Sequence, residues 1–129
     1  MILVFGKSGK LAKALVQLGA TCLGRANGNF TVVSEVRAAL AEFQPDGVIN
    51  AAGFTDVDGA ERQQEAAFRV NAQLPEVLAQ ACASEDLPFV NVSTDYVFDG
   101  SGQKAWTPQD RPNPINTYGA SKWAGEQAV

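Results

Sequence analysis

Histidine is absent from this 129-residue chain, and cysteine occurs only twice. Cys22 and Cys82 stand apart, outside any Cys-x-x-Cys arrangement. Without an imidazole near them they argue against a zinc site. They read as two buried thiols in a reducing cytoplasm. There is no run of Lys or Arg. The net charge of −4 and the pI near 4.7 argue against a nucleic-acid or anionic-membrane surface. No apolar run is long enough to span a bilayer. Met1 leads directly into a strand-like segment, with no charged leader before it. No internal repeat or low-complexity tract occurs. These absences point to a soluble cytoplasmic domain. With 46% apolar and 19% charged residues, the chain has ordinary globular composition and enough length for one domain with a core.

What is present alternates strand and helix. Ile2-Leu3-Val4-Phe5 is a continuous apolar run, as a central parallel strand should be. Gly6-Lys7-Ser8-Gly9-Lys10-Leu11-Ala12 follows at once, and Ala14, Leu15 and Leu18 continue at helical spacing to Gly19, a plausible C-cap. A strand, a glycine-rich turn and a helix form the phosphate-binding start of a dinucleotide fold, because the backbone comes close and the helix N-terminus offers amides. The spacing is G-x-x-G-x-x-A, neither G-x-G-x-x-G nor a P-loop; an ordinary strand-to-helix turn remains the alternative. Thr21-Cys22-Leu23-Gly24 reads as a short strand. Arg25 stands where an acidic residue would meet an adenosine ribose. A guanidinium there suits a 2′-phosphate and so NADPH, with NADH and a plain surface arginine as the alternatives.

Gly28-Asn29-Phe30-Thr31-Val32 reads as a strand or a loop. Ser34 is expected to cap a helix that turns Val36, Ala39, Leu40 and Phe43 to the core. Val48-Ile49 predicts a buried strand running into Asn50-Ala51-Ala52-Gly53, small residues against which a cofactor can lie. A helical region beginning at Asp58 or Gly59 carries an apolar stripe to Cys82, with a kink or break near Asn71 expected from Pro75. Pro88-Phe89-Val90-Asn91-Val92 reads as a further buried strand. The fold class expected is a Rossmann-like α/β domain over residues 1–129, a doubly wound parallel sheet with helices on both faces.

Chemistry concentrates downstream. The last strand delivers Thr94 to its carboxyl end, where open α/β sheets bind ligands. Tyr118 and Lys122 lie one helical turn apart, on one face. An ammonium beside a phenol favours the phenolate, and a phenol so tuned can pass a proton to or from an alcohol or carbonyl oxygen. Between them lies a long polar, Pro-rich loop of the kind that is often functional.

Taken in order, these segments resemble a known family. Gly6-x-x-Gly9-x-x-Ala12, Asn50-Ala51-Ala52-Gly53-x-Thr55-x-Val57-Asp58-x-Ala60-Glu61, Val70-Asn71-Ala72, Ser93-Thr94-Asp95-Tyr96-Val97-Phe98 and Tyr118-Gly119-x-Ser121-Lys122-x-x-Gly125-Glu126 resemble the dTDP-4-dehydrorhamnose reductases, extended short-chain dehydrogenase/reductases. The resemblance implies NADPH-dependent reduction of the 4-keto group of a dTDP-4-keto-6-deoxy sugar. It makes Tyr118 the proton donor, with Lys122 tuning it and holding the nicotinamide ribose, and Thr94 the partner of the keto oxygen. It places Thr55, Val57, Asp95 and Tyr96 near the sugar nucleotide. Gly6, Lys7, Ser8, Gly9, Lys10 and Leu11 would cradle the pyrophosphate. Arg25 would lie by the adenosine ribose, Asn29 and Phe30 by the adenine, and Ala51, Ala52, Gly53 and Asn71 along the cofactor. Some members use Mg²⁺ at a dimer contact, but no ligands for it are identified in this sequence. Association as a homodimer through the exposed helices is expected.

Family members are about twice this length, their second half forming a substrate domain. The expectation is therefore a cofactor-binding portion without that domain. A non-catalytic NADP-binding protein of the same fold, similar to the regulatory subunit of methionine adenosyltransferase, is the alternative. Intact Thr94, Tyr118 and Lys122 favour the enzyme.

Overall fold

The computed structural model describes residues 1–129. Four short strands, β1 (Ile2–Phe5), β2 (Thr21–Leu23), β3 (Gly47–Asn50) and β4 (Phe89–Asn91), form one parallel sheet in the order β2-β1-β3-β4. Leu3 lies opposite Thr21 on one side and Val48 on the other, and Val48 in turn lies opposite Phe89. The chain leaves β1 towards β2 and returns past it to β3. The direction of winding therefore reverses at β1, and α/β folds open a ligand crevice at such a reversal. Helix α1 (Lys10–Gln17) joins β1 to β2 and α2 (Val33–Phe43) joins β2 to β3. A broken helical run joins β3 to β4: α3 (Val57–Arg62), α4 (Gln64–Phe68), a π-helical turn (Arg69–Gln73) and α5 (Leu74–Ser84). A long loop then leads to α6 (Thr117–Gln127).

The main core lies on one face of the sheet. Leu3, Phe5, Leu23 and Val48 pack there against Val36, Ala39 and Leu40 of α2 and Leu74, Leu78, Ala81 and Cys82 of α5. Ile2, Val4, Ile49 and Val90 point to the opposite face, by strand alternation and the observed register. Helix α1 buries only Ala12, leaving Leu11, Val16 and Leu18 exposed. Exposure on this face climbs from 0% at Val4 to 55% at Val90, on the sheet edge. The expectation of a buried last strand is therefore corrected: β4 is paired on one side only.

Several local expectations also shift. Helix α2 starts at Val33, so Ser34 falls inside the first turn and caps nothing. Residues 28–32 take the loop alternative, with a turn at 30–31. Helix α3 begins at Val57 because Asp56 accepts the Gly59 N–H at 2.9 Å. The break near Asn71 is present as the π turn, and Pro75 sits in the first turn of α5, where its missing N–H is not needed. Gly19 follows the end of α1 with φ of 88°, the left-handed conformation expected there.

Candidate active site

At the head of β1 the turn at Gly6 has φ of 121°, and a Cβ there would lie 2.7 Å from the Ala52 backbone nitrogen. Only glycine lets the turn after β1 lie flat on residues 51–52, which follow β3. Asn50 is 2% exposed and shapes that second loop. Its Oδ1 accepts the Ala52 N–H at 3.2 Å and its Nδ2 donates to Asn91 Oδ1 at 2.8 Å, tying β3 to β4. Helix α1 starts at Gly9 with no side-chain cap and no acidic residue in its first turn, and a Cβ on Gly9 would meet nothing within 4 Å. Uncapped amides in open space, with Lys7, Ser8 and Lys10 exposed around them, fit a pyrophosphate.

Arg25 follows β2 in a short 3₁₀ turn (Arg25–Asn27) and is exposed. The stem of Lys7 packs against Gly24, the residue before Arg25. Asn29 is used locally: its Oδ1 accepts both the Thr31 N–H and hydroxyl, and its own N–H goes to Glu35 Oε2 at 2.6 Å. Phe30 is only 9% exposed and packs edge-on against Phe5 with ring centres 4.8 Å apart. It is a core residue whose rim borders a groove of about 220 Å³ lined also by Asn27, Glu35 and Phe43. A groove of about 550 Å³ lies between α5, β4 and α6, lined by Cys82, Phe89, Asn91 and Glu126.

Asn71 sits in the π turn, 2% exposed. Its Oδ1 accepts the Phe54 N–H at 2.8 Å; its Nδ2 donates to Phe54 O and to Ser121 Oγ, both at 3.0 Å. Ser121 Oγ donates to Tyr118 O at 2.8 Å. The Asn71 amide is thus spent on joining the 51–55 loop to α6, not on facing a cofactor. π turns often mark functional sites, and this one lets α6 come close. A Cβ on Gly125 would stand 2.0 Å from Asn71 O, and one on Gly119 would stand 2.2 Å from Tyr96 O. Two glycines therefore seat α6 backbone to backbone against its neighbours.

Helix α6 carries Tyr118 and Lys122. Asn116 caps it by accepting the Gly119 N–H at 2.7 Å. Lys122 is 7% exposed, and its ammonium donates to Val92 O. Desolvation pushes its pKa below the ordinary 10.5, while Glu126 nearby pulls it up. Glu126 in turn accepts a hydrogen bond from Ser93. Tyr118 lies edge-on to Tyr96, ring centres 5.5 Å apart. Thr94 caps the 3₁₀ turn Asp95–Val97, accepting the Tyr96 N–H at 3.3 Å. Its hydroxyl bonds Asp95 rather than Tyr118 or Lys122. Asp95 and Tyr96 are exposed, as are Thr55 and Gly53, while Val57 is half-buried at the start of α3.

The structure therefore gathers Gly6, Ala51, Ala52, Thr94, Tyr96, Tyr118 and Lys122 along the carboxyl ends of β1, β3 and β4, with Arg25 at the end of β2. It does not bring Phe30 or the Asn71 amide into that row. Missed in the sequence were Asn50, Glu61, Gly119, Ser121 and Gly125, which position the others. Gly119, Ser121 and Gly125 stood inside the Tyr-x-x-x-Lys segment, but their use depends on contacts far along the chain. No group of three or more His, Cys, Asp or Glu side chains comes together in this chain. No helix is long and apolar enough to cross a membrane.

The family model described as "RmlD substrate binding domain" matches residues 1–129. The chain is 41% identical to a dTDP-4-dehydrorhamnose reductase of Streptomyces griseus, over 98% of this chain and 44% of that protein. It is 36% identical to the enzyme of that name from Escherichia coli, over 99% of this chain and 46% of the other. Among solved structures, the dTDP-4-dehydrorhamnose reductase of Bacillus anthracis in complex with NADP superposes with a TM-score of 0.94 at 33% identity, over 99% of this chain and 48% of that one. The chain spans about half the length of these relatives.

Proposed function

This chain belongs to the dTDP-4-dehydrorhamnose reductase family, and on that premise we propose that it forms the NADPH-binding, proton-donating half of a cytoplasmic reductase. The substrate is the 4-keto group of a dTDP-4-keto-6-deoxy sugar, and the product leads to dTDP-L-rhamnose. The carrying observation is the convergence at one sheet edge. A glycine turn and an uncapped helix N-terminus at β1 meet the loop after β3, and Thr94, Tyr118 and Lys122 stand at β4.

In this reading the amides of α1 and the exposed Lys7, Ser8 and Lys10 hold the pyrophosphate. Arg25 pairs with the 2′-phosphate, whose charge and bidentate geometry suit a guanidinium. Ala51 and Ala52 offer a flat backbone shelf. NADPH, when bound, supplies the hydride. Lys122, whose ammonium donates to Val92 O, would hold the nicotinamide ribose. Tyr118 then delivers the proton to the oxygen that becomes the new hydroxyl, and the Thr94 hydroxyl, freed from Asp95, steadies that oxygen. Thr55, Val57, Asp95 and Tyr96 approach the sugar nucleotide.

Calorimetric titration with NADPH and NADH tests the cofactor step; silence from both on folded protein overturns it. Tyr118→Phe in the full-length protein keeps the ring and removes the acid. Turnover should fall about 10²–10⁴-fold with NADPH affinity kept, and a parental rate overturns the mechanism.

A further inference from the structure

Helix α6 has no acidic residue in its own first turn. One reaches it from α3 instead. Glu61 Oε1 accepts the Thr117 backbone N–H at 2.7 Å and Oε2 accepts the Thr117 hydroxyl at 3.0 Å. Thr117 is the residue directly before Tyr118. The Thr117 N–H is one of the donors that a helix start leaves without an internal partner, and a carboxylate there also meets the positive end of the helix. Two acceptor oxygens on two donors of one residue fix a direction as well as a distance.

We propose that Glu61 is a positioning residue for Tyr118. It clamps the first turn of α6 to α3, the helix that begins at the Thr55–Val57 segment, and so fixes the phenol relative to the crevice. The inference rests on the reductase reading above and adds a residue to it. Three features separate this role from ordinary stability. Glu61 is exposed, so water can replace its acceptors when it is removed. Asn116 caps the Gly119 N–H separately, so the helix keeps its start. The contact joins segments 56 residues apart, so it orients one element on another rather than forming a local turn.

The test uses the full-length protein and four variants: Glu61→Ala, Glu61→Gln, Tyr118→Phe and the double Glu61→Ala/Tyr118→Phe. Glu61→Ala should lower kcat about tenfold, on the scale of a lost orienting contact, with KM for the keto sugar nucleotide and the Kd for NADPH within twofold of parental. Glu61→Gln should recover most of the rate, because its carbonyl accepts the Thr117 N–H and its amide donates to the Thr117 oxygen. In the Tyr118→Phe background, Glu61→Ala should change the residual rate by less than twofold, since a residue acting through the phenol has nothing left to orient. A parental kcat in Glu61→Ala overturns the proposal. So does a loss of the same size in both backgrounds, or a fall in melting temperature and NADPH affinity matching the fall in kcat. If the parental protein itself turns over no keto sugar nucleotide, the reductase reading fails and this inference with it. That outcome is read from the parental control alone and is distinct from the others.

Discussion

Replacing Gly125 by Ala probes how α6 is seated, and the sign of its effect decides the matter. In an ordinary helix interior, Gly→Ala stabilises by roughly 0.5–1 kcal/mol because it removes backbone freedom from the unfolded chain. Here the added Cβ would stand 2.0 Å from Asn71 O and 3.2 Å from Pro75 Cγ. The nearer atom is backbone within the π turn, held by the bonds of Asn71 to Phe54 and Ser121. It cannot turn aside as a side chain would. To bring that contact even to 3.0 Å, the helix must withdraw by about 1 Å, and overpacking on that scale costs about 1–3 kcal/mol. The net change should be destabilising by about 1–2 kcal/mol once the helix-propensity gain is subtracted. Withdrawal also carries Lys122 away from Val92 O and tilts Tyr118, and a 1 Å misplacement of reacting groups costs on the order of 10²-fold in rate. Urea melts of the Gly125→Ala chain and steady-state turnover of the full-length variant measure the two effects. Equal or higher stability with parental turnover would show that α6 is not seated by backbone contact at this glycine.

Arg25→Ala should weaken NADPH by about 1–3 kcal/mol, the range of a charge-assisted hydrogen bond, and leave NADH nearly unchanged; calorimetry showing equal losses for both removes the 2′-phosphate role. Lys122→Met should keep folding stability within about 1 kcal/mol at neutral pH, because it relieves a desolvated ammonium while leaving Val92 O without a donor, yet abolish turnover; loss of folding would refute it. Its parent carries a lysine whose pKa is depressed on folding, so the parent should gain stability relative to Lys122→Met as pH rises through the folded pKa towards 10.5, seen in paired melts. The Ser101 side chain, the Ser101 N–H at 2.9 Å and Asn113 Nδ2 at 3.0 Å all favour the charged Asp99 carboxylate, in that order, and hold its pKa at about 2 against an ordinary 3.8. The loop contact it makes should be fully present above pH 3.8 and lost as pH falls through about 2; a carboxyl NMR titration with its midpoint near 3.8 would refute the clamp.

The strand-and-helix alternation was legible because it is written in local pattern. Four residues of unbroken apolar sequence at Ile2–Phe5 read as a central strand, and Leu3, Val4 and Phe5 are buried as such a strand requires, with Ile2 exposed at its start. Pro75 marked the break at Asn71 for an equally local reason. Patterns of this kind do not report which neighbours a strand has. Phe89-Val90-Asn91 has the composition of an interior strand, yet Val90 is 55% exposed because only one side of β4 is paired. The cap at Ser34 failed through competition. The helix starts at Val33, and the Val36 N–H that a Ser34 cap would take already bonds Val32 O.

At the site the same divide separates chemistry from support. Tyr118, Lys122 and Thr94 could be named because a phenol, an ammonium and a hydroxyl at those spacings have recognisable chemistry. The resemblance set Asn71 and Phe30 beside the cofactor; in the structure the Asn71 amide joins Phe54 to Ser121, and the Phe30 ring packs edge-on to Phe5 with its rim on a groove. Glu61, Ser121, Gly119 and Gly125 were invisible as functional residues for the converse reason. A serine, a glutamate and two glycines carry no chemistry of their own here. Their role is a distance to another segment, 50 residues away for the Ser121–Asn71 bond and 56 for Thr117–Glu61. One helix is held at its start by a carboxylate from α3, along its side by the π turn and at its lysine by the last strand. Two of these anchors come from the β3-to-β4 connection and the third from the residue just after β4, so Tyr118 and Lys122 are set only when that whole connection has folded. On the proposed function, cofactor binding at β1 and proton delivery at α6 both depend on one shared loop, residues 51–55, which touches Gly6 on one side and Asn71 on the other.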